Sequence, residues 1–309
     1  MESTSTRVMS HEEWLQARRF GIGGSDAAAI VGLNEYSSAY EVWADKVGIL
    51  PEKPDTEAMR QGRDFEDYVA ARFSEATGQK VRRVNEILHS INYPWAIANI
   101  DRKLVGLDEG LECKTTSVLN LRKFQNGEYP AQYYVQCMHY MAVTGWQAMH
   151  LAVLVLNKDF LLFRIERDEE EIAALMSAEK NFWEEHVVSK VAPAPDGSDG
   201  ITDIIAARYP ESVAEMDVDL TLYREALQEL VVAKGRVKEA EREEERLKQV
   251  IQEALQAAGR GHAEGYKVTW STQERRTLDK EKLLEAYPAL DLDPFMKMTR
   301  VRPFIIREV

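Results

Sequence analysis

Apolar and polar residues alternate in short runs through the middle of the chain, a pattern typical of β-strands that bury one face. These runs are 87–89, 95–101, 111–115, 149–156 and 160–165. In the third run, alternation turns Leu111 and Cys113 toward the core and sends Glu112 and Lys114 out together on the opposite face. The last two runs flank Asn157-Lys158-Asp159, a turn signal, so we predict that they form a hairpin.

Apolar residues at helical spacing predict helices before, between and after these strands. A helix that opens at 62–66 and runs to about Gly78 places Phe65, Val69 and Phe73 along one stripe. Further helices are predicted after Gly23-Gly24 (with Ser25 or Asp26 as N-cap), after Pro130 and from about 168 to 188. Together these elements predict a mixed α/β fold in which helices flank a central mixed sheet.

The clearest boundary lies at 192–200, where Pro, Gly and Ser punctuate the chain and no periodicity crosses. We therefore predict one domain over 1–191, a linker over 192–200 and a C-terminal extension over 201–309. A long charged helix over 218–258 dominates the extension, and either a helical hairpin arm or an oligomer contact fits it. Short strands at 266–270 and 304–306 are predicted to pair with each other.

Composition is that of a globular protein, since 45% of the 309 residues are apolar and 29% are charged. The two cysteines, Cys113 and Cys137, lie in predicted core elements and form no Cys-x-x-Cys motif, which argues against an iron–sulfur cluster and fits the reducing cytoplasm. The histidines show no paired metal-ligand spacing, so we interpret them as structural or surface residues. No apolar run reaches the roughly 18 residues that a membrane span needs, so no membrane partner is expected.

The net charge of −13 opposes binding to nucleic acid, because neutralisation of phosphates drives such binding. It does not exclude DNA, since a local basic groove and bound metal ions matter more than the total charge. The charge instead predicts that DNA binding without a divalent metal is weak and sensitive to salt.

Candidate chemistry is concentrated in the step from Asp101 to Glu112-Cys113-Lys114, eleven residues further along. Two carboxylates offer the oxygen ligands that Mg²⁺ prefers, and a lysine beside them can act on a metal-bound water. Metal-assisted hydrolysis of a phosphodiester needs this equipment. The alternative is a solvated hairpin that carries a surface ion pair.

Three other segments carry polar residues with two interpretations each. Glu66 lies at the edge of its helical stripe and could lean toward a site, or it is a first-turn acid favoured by the helix dipole. Arg18 and Ser25 beside a helix N-terminus could seat a phosphate, or they belong to a well-capped helix. Gln136 and Tyr140, one turn apart, could bind phosphates or bases, or they are incidental polar residues of an amphipathic helix.

Taken together and in order, these segments resemble the YqaJ viral recombinase family of lambda-exonuclease-like phage exonucleases, which belongs to the PD-(D/E)XK nuclease superfamily. The motifs that carry the resemblance are R-x-x-G-I-G-G-S-D at 18–26, G-R-D-F-E at 62–66, Asp101 with Glu112-Cys113-Lys114, and Q-x-x-x-Y at 136–140. The resemblance covers about residues 10–190 well and the rest more loosely.

The resemblance implies a PD-(D/E)XK core, like that of restriction endonucleases, and an active site for Mg²⁺-dependent cleavage of DNA by a metal-activated water. Asp101, Glu112, the backbone carbonyl of Cys113 and Glu66 would form the metal site. Lys114 would position and activate the water, so that Asp101, Glu112 and Lys114 are the expected catalytic residues. Two Mg²⁺ ions are expected, with Mn²⁺ as a substitute.

The resemblance also implies a substrate and a partner. The substrate would be double-stranded DNA degraded from a 5′-phosphorylated end, with Arg18 or Arg19 and Ser25 holding the phosphate and with Gln136 and Tyr140 as further contacts. The partner would be a single-strand annealing protein, and a ring-like homo-oligomer is left open. An endonuclease on the same fold and a non-catalytic DNA-binding or scaffold protein are the alternatives.

Overall fold

The computed structural model describes residues 2–50, 55–288, 290–298 and 302–306. The chain divides into two compact units, Met1–Tyr209 and Pro210–Val309. None of the described helices is both long enough and apolar enough to cross a membrane.

Four of the seven α-helices described in the first unit begin where the sequence supplies a capping side chain. The seven helices are α1 (His11–Arg18), α2 (Gly24–Ile30), α3 (Ala39–Lys46), α4 (Glu57–Thr77), α5 (Ala131–Thr144), α6 (Glu169–Phe182) and α7 (Asp199–Arg208). Ser10, Ser38, Thr56 and Asp168 each accept a backbone hydrogen bond from the first turn of the helix that follows. A 3₁₀ segment, Val118–Gly127, precedes α5, and a π-helical turn, Trp183–Val188, continues α6.

The central sheet is mixed, which confirms the predicted fold class. The strands are β1 (Glu2–Ser5), β2 (Val81–Arg83), β3 (Glu86–His89), β4 (Ile97–Ala98), β5 (Arg102–Leu104), β6 (Glu109–Thr116), β7 (Ala148–Val155) and β8 (Asp159–Glu166). The order of the main sheet is β2-β5-β6-β7-β8, and β1-β3-β4 form a smaller sheet. β6 and β7 are parallel and are connected through α5, whereas β7 and β8 form the predicted antiparallel hairpin.

Helices cover both faces of the main sheet, and this decides where β6 sends its side chains. Leu111 is buried in one cluster with Val69 and Phe73 of α4. On the other face, apolar residues of β7 such as Leu151 pack with those of α5 such as Met138. Because Glu112 pairs in register with Leu151, it lies on the face that α5 covers and is buried there.

Three predicted boundaries differ from the structure. The run at 95–101 contains only the two-residue strand β4, because Ala96 instead bridges the backbone of Ile22 in the chain before α2. α4 begins at Glu57 and not at 62, since Thr56 supplies its N-cap. The N-cap of α2 is Gly23 and not Ser25 or Asp26, because the Asp26 carboxylate accepts the Gly23 N–H from within the first turn.

The division between the units lies after Tyr209, later than the predicted linker at 192–200. The reason is α7, whose Ile201 and Ile204 are buried in one cluster with Tyr40 and Trp43 of α3. A Pro- and Gly-rich segment therefore leads into another packed helix of the first unit.

The second unit contains α8 (Arg224–Leu255), β9 (Arg260–Ala263), β10 (Tyr266–Thr269) and α9 (Lys280–Ala286). β10 pairs with β9 through a turn at Gly265, whose φ is +77°, so the predicted pairing of 266–270 with 304–306 is wrong. A hairpin between neighbouring strands closes a short loop, which costs less conformational entropy than pairing with a distant segment. None of the described residues of this unit is buried.

Candidate active site

Asp101 is attached directly to the strand that carries the other site residues. It stands immediately before β5, which pairs with β6, and its Oδ2 accepts the backbone N–H of Cys113 at 2.7 Å. This bond joins the two halves of the predicted motif, so that Asp101 lies next to Glu112 although eleven positions separate them.

Glu112 is buried, and its two carboxylate oxygens have different surroundings. Oε1 lies 2.6 Å from the Lys114 ammonium and accepts the Gln136 amide N–H at 2.7 Å. Oε2 is also buried but has no hydrogen-bond partner among the described residues. A buried carboxylate oxygen without a donor is costly, and such an atom indicates a missing cation or donor.

The site holds more negative than positive charge. Burial, together with the charges of Glu112 and Glu66, raises the pKa of Asp101 well above its usual value. Burial alone would lower the pKa of Lys114, but the charges of Glu112 and Asp101 outweigh it and raise that pKa. Lys114 is therefore a stable ammonium, and a divalent cation beside Asp101 and Glu112 would relieve the repulsion between the acids.

Glu66 faces an arginine that the sequence analysis did not single out. The buried Arg102 guanidinium donates to the Glu66 carboxylate, to Asp67 Oδ1 at 2.6 Å and to the Asp101 carbonyl at 2.7 Å. Arg102 could have been found from the alternation of β5, which turns Arg102 and Leu104 inward and Lys103 outward.

The residues fit a divalent ion in part. Asp101 and Glu112 bring two carboxylates together, and one of their oxygens has no partner in the part of the chain that the structure describes. Among the described residues, no group of three or more His, Cys, Asp or Glu side chains is arranged to hold a metal ion. Glu66 is occupied by Arg102, so the roles of Glu66 and of the Cys113 carbonyl as ligands stay predictions.

Gln136 and Tyr140 lie behind Glu112 and are not on an exposed helix face. The Gln136 amide donates to both Glu112 Oε1 and the Tyr140 hydroxyl, the latter at 2.8 Å, and both residues are buried. Gln136 therefore contacts a catalytic candidate directly, and Tyr140 contacts Gln136. Their predicted contact with substrate stays a prediction.

Arg18, and not Arg19, lies beside Ser25. Arg18 donates to Ser25 Oγ at 3.2 Å and stacks over the Trp14 ring at 4.8 Å, and its buried Nε has no partner among the described residues. Arg19 instead pairs with Asp45 at 3.3 Å. The free donor on Arg18 suits an anion, since a guanidinium can bind phosphate through parallel hydrogen bonds.

Gly24 connects this arginine to the acidic site. A Cβ at Gly24 would lie 2.6 Å from a ring carbon of Tyr140 and 2.9 Å from Gln136 Cγ, so only glycine allows the first turn of α2 to pack there. Because Gln136 also contacts Glu112, the Arg18–Ser25 pair and the Asp101–Glu112–Lys114 group share one set of supporting side chains.

Lys46 is a second buried cation that the sequence analysis missed. Its side chain is 1% exposed, and its ammonium lies 2.6 Å from Asp26 Oδ2. The available signal was position, since Lys46 follows the buried Trp43 by three residues on one face of α3.

The chain is similar in sequence to known proteins. The sequence model of one protein family, the YqaJ-like viral recombinase domain, matches residues 13–147. The uncharacterized protein YqaJ of Bacillus subtilis (strain 168) is 37% identical over 305 residues, which cover 97% of this chain and 95% of the relative.

Two crystal structures of one enzyme are also similar. The alkaline exonuclease LHK-Exo from Laribacter hongkongensis is 21% identical with a TM-score of 0.50, and the match covers 58% of this chain and 94% of that chain. LHK-Exo in complex with dAMP has the same TM-score and coverage at 22% identity. At this identity the likeness shows the fold, and it confirms the predicted PD-(D/E)XK architecture.

Proposed function

Because this chain belongs to the YqaJ-like viral recombinase family, we propose that it is a Mg²⁺-dependent exonuclease that degrades duplex DNA from 5′-phosphorylated ends. The family and the exonuclease-like fold support a nuclease of the phage type. The single observation that carries the proposal is that two acids, Asp101 and Glu112, share the one ammonium of Lys114, while Glu112 Oε2 has no partner among the described residues. A scaffold protein has no use for such an arrangement, because it costs stability.

Asp101 and Glu112 would hold the divalent ion, with the Cys113 carbonyl and Glu66 as further proposed ligands. When bound, Mg²⁺, or Mn²⁺ in its place, would polarise the scissile phosphate and lower the pKa of a coordinated water. The Asp101 bond to the Cys113 N–H and the Gln136 bond to Glu112 keep both carboxylates in fixed positions before substrate arrives.

Lys114 would stabilise the charge that develops as the phosphodiester is attacked. Its ammonium is held 2.6 Å from Glu112 Oε1 and 5.2 Å from the centre of the Tyr133 ring. Because its pKa is raised, Lys114 keeps its proton near neutral pH, and it would orient the attacking water and neutralise negative charge.

Arg18 and Ser25 would bind the 5′-terminal phosphate and so direct the enzyme to DNA ends. A terminal phosphate monoester carries more negative charge than an internal phosphodiester, and the Nε of Arg18, which has no partner among the described residues, would add a donor for it. In a viral recombination pathway, the single-stranded product would pass to a single-strand annealing protein, the proposed partner.

Digestion of three substrates tests this function: linear duplex with 5′-phosphate, linear duplex with 5′-hydroxyl, and covalently closed circular duplex. With Mg²⁺ we expect mononucleotide release that is fastest from 5′-phosphorylated ends, intact circles, and no cleavage when EDTA replaces Mg²⁺. The variant Asp101→Ala serves as the inactive control. Rapid cutting of closed circles would favour an endonuclease, and DNA binding without any cleavage would favour a scaffold protein.

A further inference from the structure

We propose that Lys46 is a positioning residue for end recognition, which neutralises Asp26 so that Arg18 stays available to bind a terminal phosphate. The inference rests on the proposed binding of 5′-phosphate by Arg18, and it adds a residue that does not itself contact DNA. It explains why a lysine is buried at the end of α3, under the first turn of α2.

The contacts of Lys46 all lead to the Arg18 region. The ammonium lies 2.6 Å from Asp26 Oδ2 and 3.6 Å from Asp45 Oδ2, and it donates to the backbone carbonyl of Arg18 at 3.2 Å. With 1% of its side chain exposed, Lys46 is not a solvated surface cation. A buried ammonium is costly unless such partners compensate for lost water.

Asp26 lies near two cations, Lys46 and Arg18, and it is closer to Lys46. Its Oδ2 accepts from Lys46 at 2.6 Å and from the Gly23 N–H at 2.9 Å, whereas its Oδ1 is 3.9 Å from Arg18 NH2. Burial by itself would raise the pKa of Asp26, but the charges of Lys46 and Arg18 outweigh burial and lower it. The carboxylate is therefore ionised, and Lys46 supplies its nearest counter-charge.

This arrangement leaves Arg18 partly free. Arg18 makes its hydrogen bond to the neutral Ser25 hydroxyl, and its Nε has no partner among the described residues. Without Lys46, the ionised Asp26 would have Arg18 as its nearest cation, because Arg19 is paired with Asp45. An Arg18–Asp26 pair would then compete with phosphate for the same guanidinium.

Kinetics of Lys46→Met, Asp26→Asn/Lys46→Met and Arg18→Ala test the inference through one ratio, kcat/KM on 5′-phosphorylated ends divided by that on 5′-hydroxyl ends. We expect Lys46→Met to lower this ratio about tenfold, close to the effect of Arg18→Ala, because a charge-assisted hydrogen bond is lost. The double variant removes the carboxylate as well as the ammonium, so its ratio returns to within about threefold of wild type. A lysine with a purely structural role would show no such rescue.

The matched control is Lys180→Met, the same change at a half-exposed lysine of α6 that pairs only loosely with Glu184. It should leave the ratio unchanged. A wild-type ratio in folded Lys46→Met would overturn the inference while end recognition by Arg18 stands. A wild-type enzyme that shows no preference for 5′-phosphate would instead overturn the proposed end recognition, and the inference with it.

Lys46→Met leaves a buried carboxylate with a weaker counter-charge and can fail to fold. In that case the double variant decides, since it removes both charges together. Retention of the 5′-phosphate preference supports neutralisation as the role of Lys46. Loss of the preference to the level of Arg18→Ala would show that Lys46 or Asp26 acts in another way.

Discussion

Two buried glutamates contact the same helix, α5, and they illustrate the difference between a site and a structural support. Glu112 accepts from Gln136, and Glu179 of α6 contacts His139, three residues further along α5. Both carboxylates are shielded from water. Their partners differ, and the partners decide what each carboxylate can do.

Glu179 belongs to a buried ion pair that is anchored at both ends. Its Oε1 lies 2.7 Å from His139 Nδ1, and His139 Nε2 lies 2.9 Å from the carbonyl oxygen of Ile97. Because both neighbours of the imidazole are acceptors when Glu179 is ionised, this arrangement favours protons on both ring nitrogens, and the charge of Glu179 raises the pKa of His139. The other oxygen of Glu179 and the indole nitrogen of Trp95 are both buried and have no hydrogen-bond partner among the described residues.

Glu112, by contrast, shares its one ammonium, that of Lys114, with a second acid, Asp101. A pair whose charges balance holds α5, α6 and β4 together. A group of acids with too few cations is instead ready to receive one. An excess of negative charge therefore distinguishes the functional carboxylate, Glu112, from the structural one, Glu179.

The largest effect is expected from one chemical change made at both positions. Glu112→Gln should lower the cleavage rate by on the order of 10³-fold, because a charged oxygen ligand is lost, with stability close to wild type. Glu179→Gln should lower stability and leave the rate per folded molecule close to wild type. Single-turnover cleavage measures the rate of each variant, and denaturant unfolding measures its stability. If both variants lose activity alike, the two carboxylates do not have separate roles.

Breaking the structural pair of His139 and Glu179 should lower the free energy of unfolding. His139→Leu leaves the Glu179 carboxylate buried without its cation, so we expect the free energy of unfolding to fall by about 3 kcal/mol. His139→Leu/Glu179→Leu removes both charges and should recover most of that loss. Urea unfolding followed by tryptophan fluorescence gives the values. A double variant less stable than the single one would show that packing, and not charge, is what the pair contributes.

Lys114→Ala should slow cleavage far more than it weakens DNA binding. We expect the single-turnover rate to fall by about 10²-fold, because the cation that stabilises developing negative charge is lost. Affinity for DNA should change far less, as measured by fluorescence anisotropy in Ca²⁺. A variant that binds weakly and cleaves at the normal rate would make Lys114 a phosphate contact and not a catalytic residue.

A smaller effect should appear in the dependence of stability on pH. Burial by itself lowers the pKa of His139, but the charge and hydrogen bond of Glu179 raise it above 6.5 overall. A raised histidine pKa contributes stability that is complete below pH 6.5 and is lost as pH rises through the folded-state pKa. We expect wild-type stability to fall by up to about 1.4 kcal/mol per pH unit in that window. The double variant at His139 and Glu179 should lack this loss.

Patterns that span only a few residues were readable in the sequence. Strand alternation placed Glu112 and Lys114 on one face of β6, and the turn at 157–159 predicted the β7–β8 hairpin. Patterns that depend on partners elsewhere were not. The run at 95–101 is mostly not a strand, because its backbone meets the chain before α2, more than seventy residues earlier.

The predicted linker is a second place where a local sequence pattern does not reveal tertiary packing. Pro and Gly at 192–200 predict an interruption, but α7 already begins at Asp199, and periodicity cannot show that Ile201 and Ile204 are buried against α3. Burial depends on which surfaces meet, and that is a property of the whole first unit.

The sequence by itself determined the order and spacing of Asp101, Glu112 and Lys114, because the period of a strand is a local property of the backbone. Tertiary structure alone set two contacts, that of Arg102 with Glu66 and that of Lys46 with Asp26, and it left Glu112 Oε2 without a partner among the described residues. Both contacts join elements that are separate along the chain. The physical reason is that charges interact through space, so their balance is set only when the helices pack on the sheet.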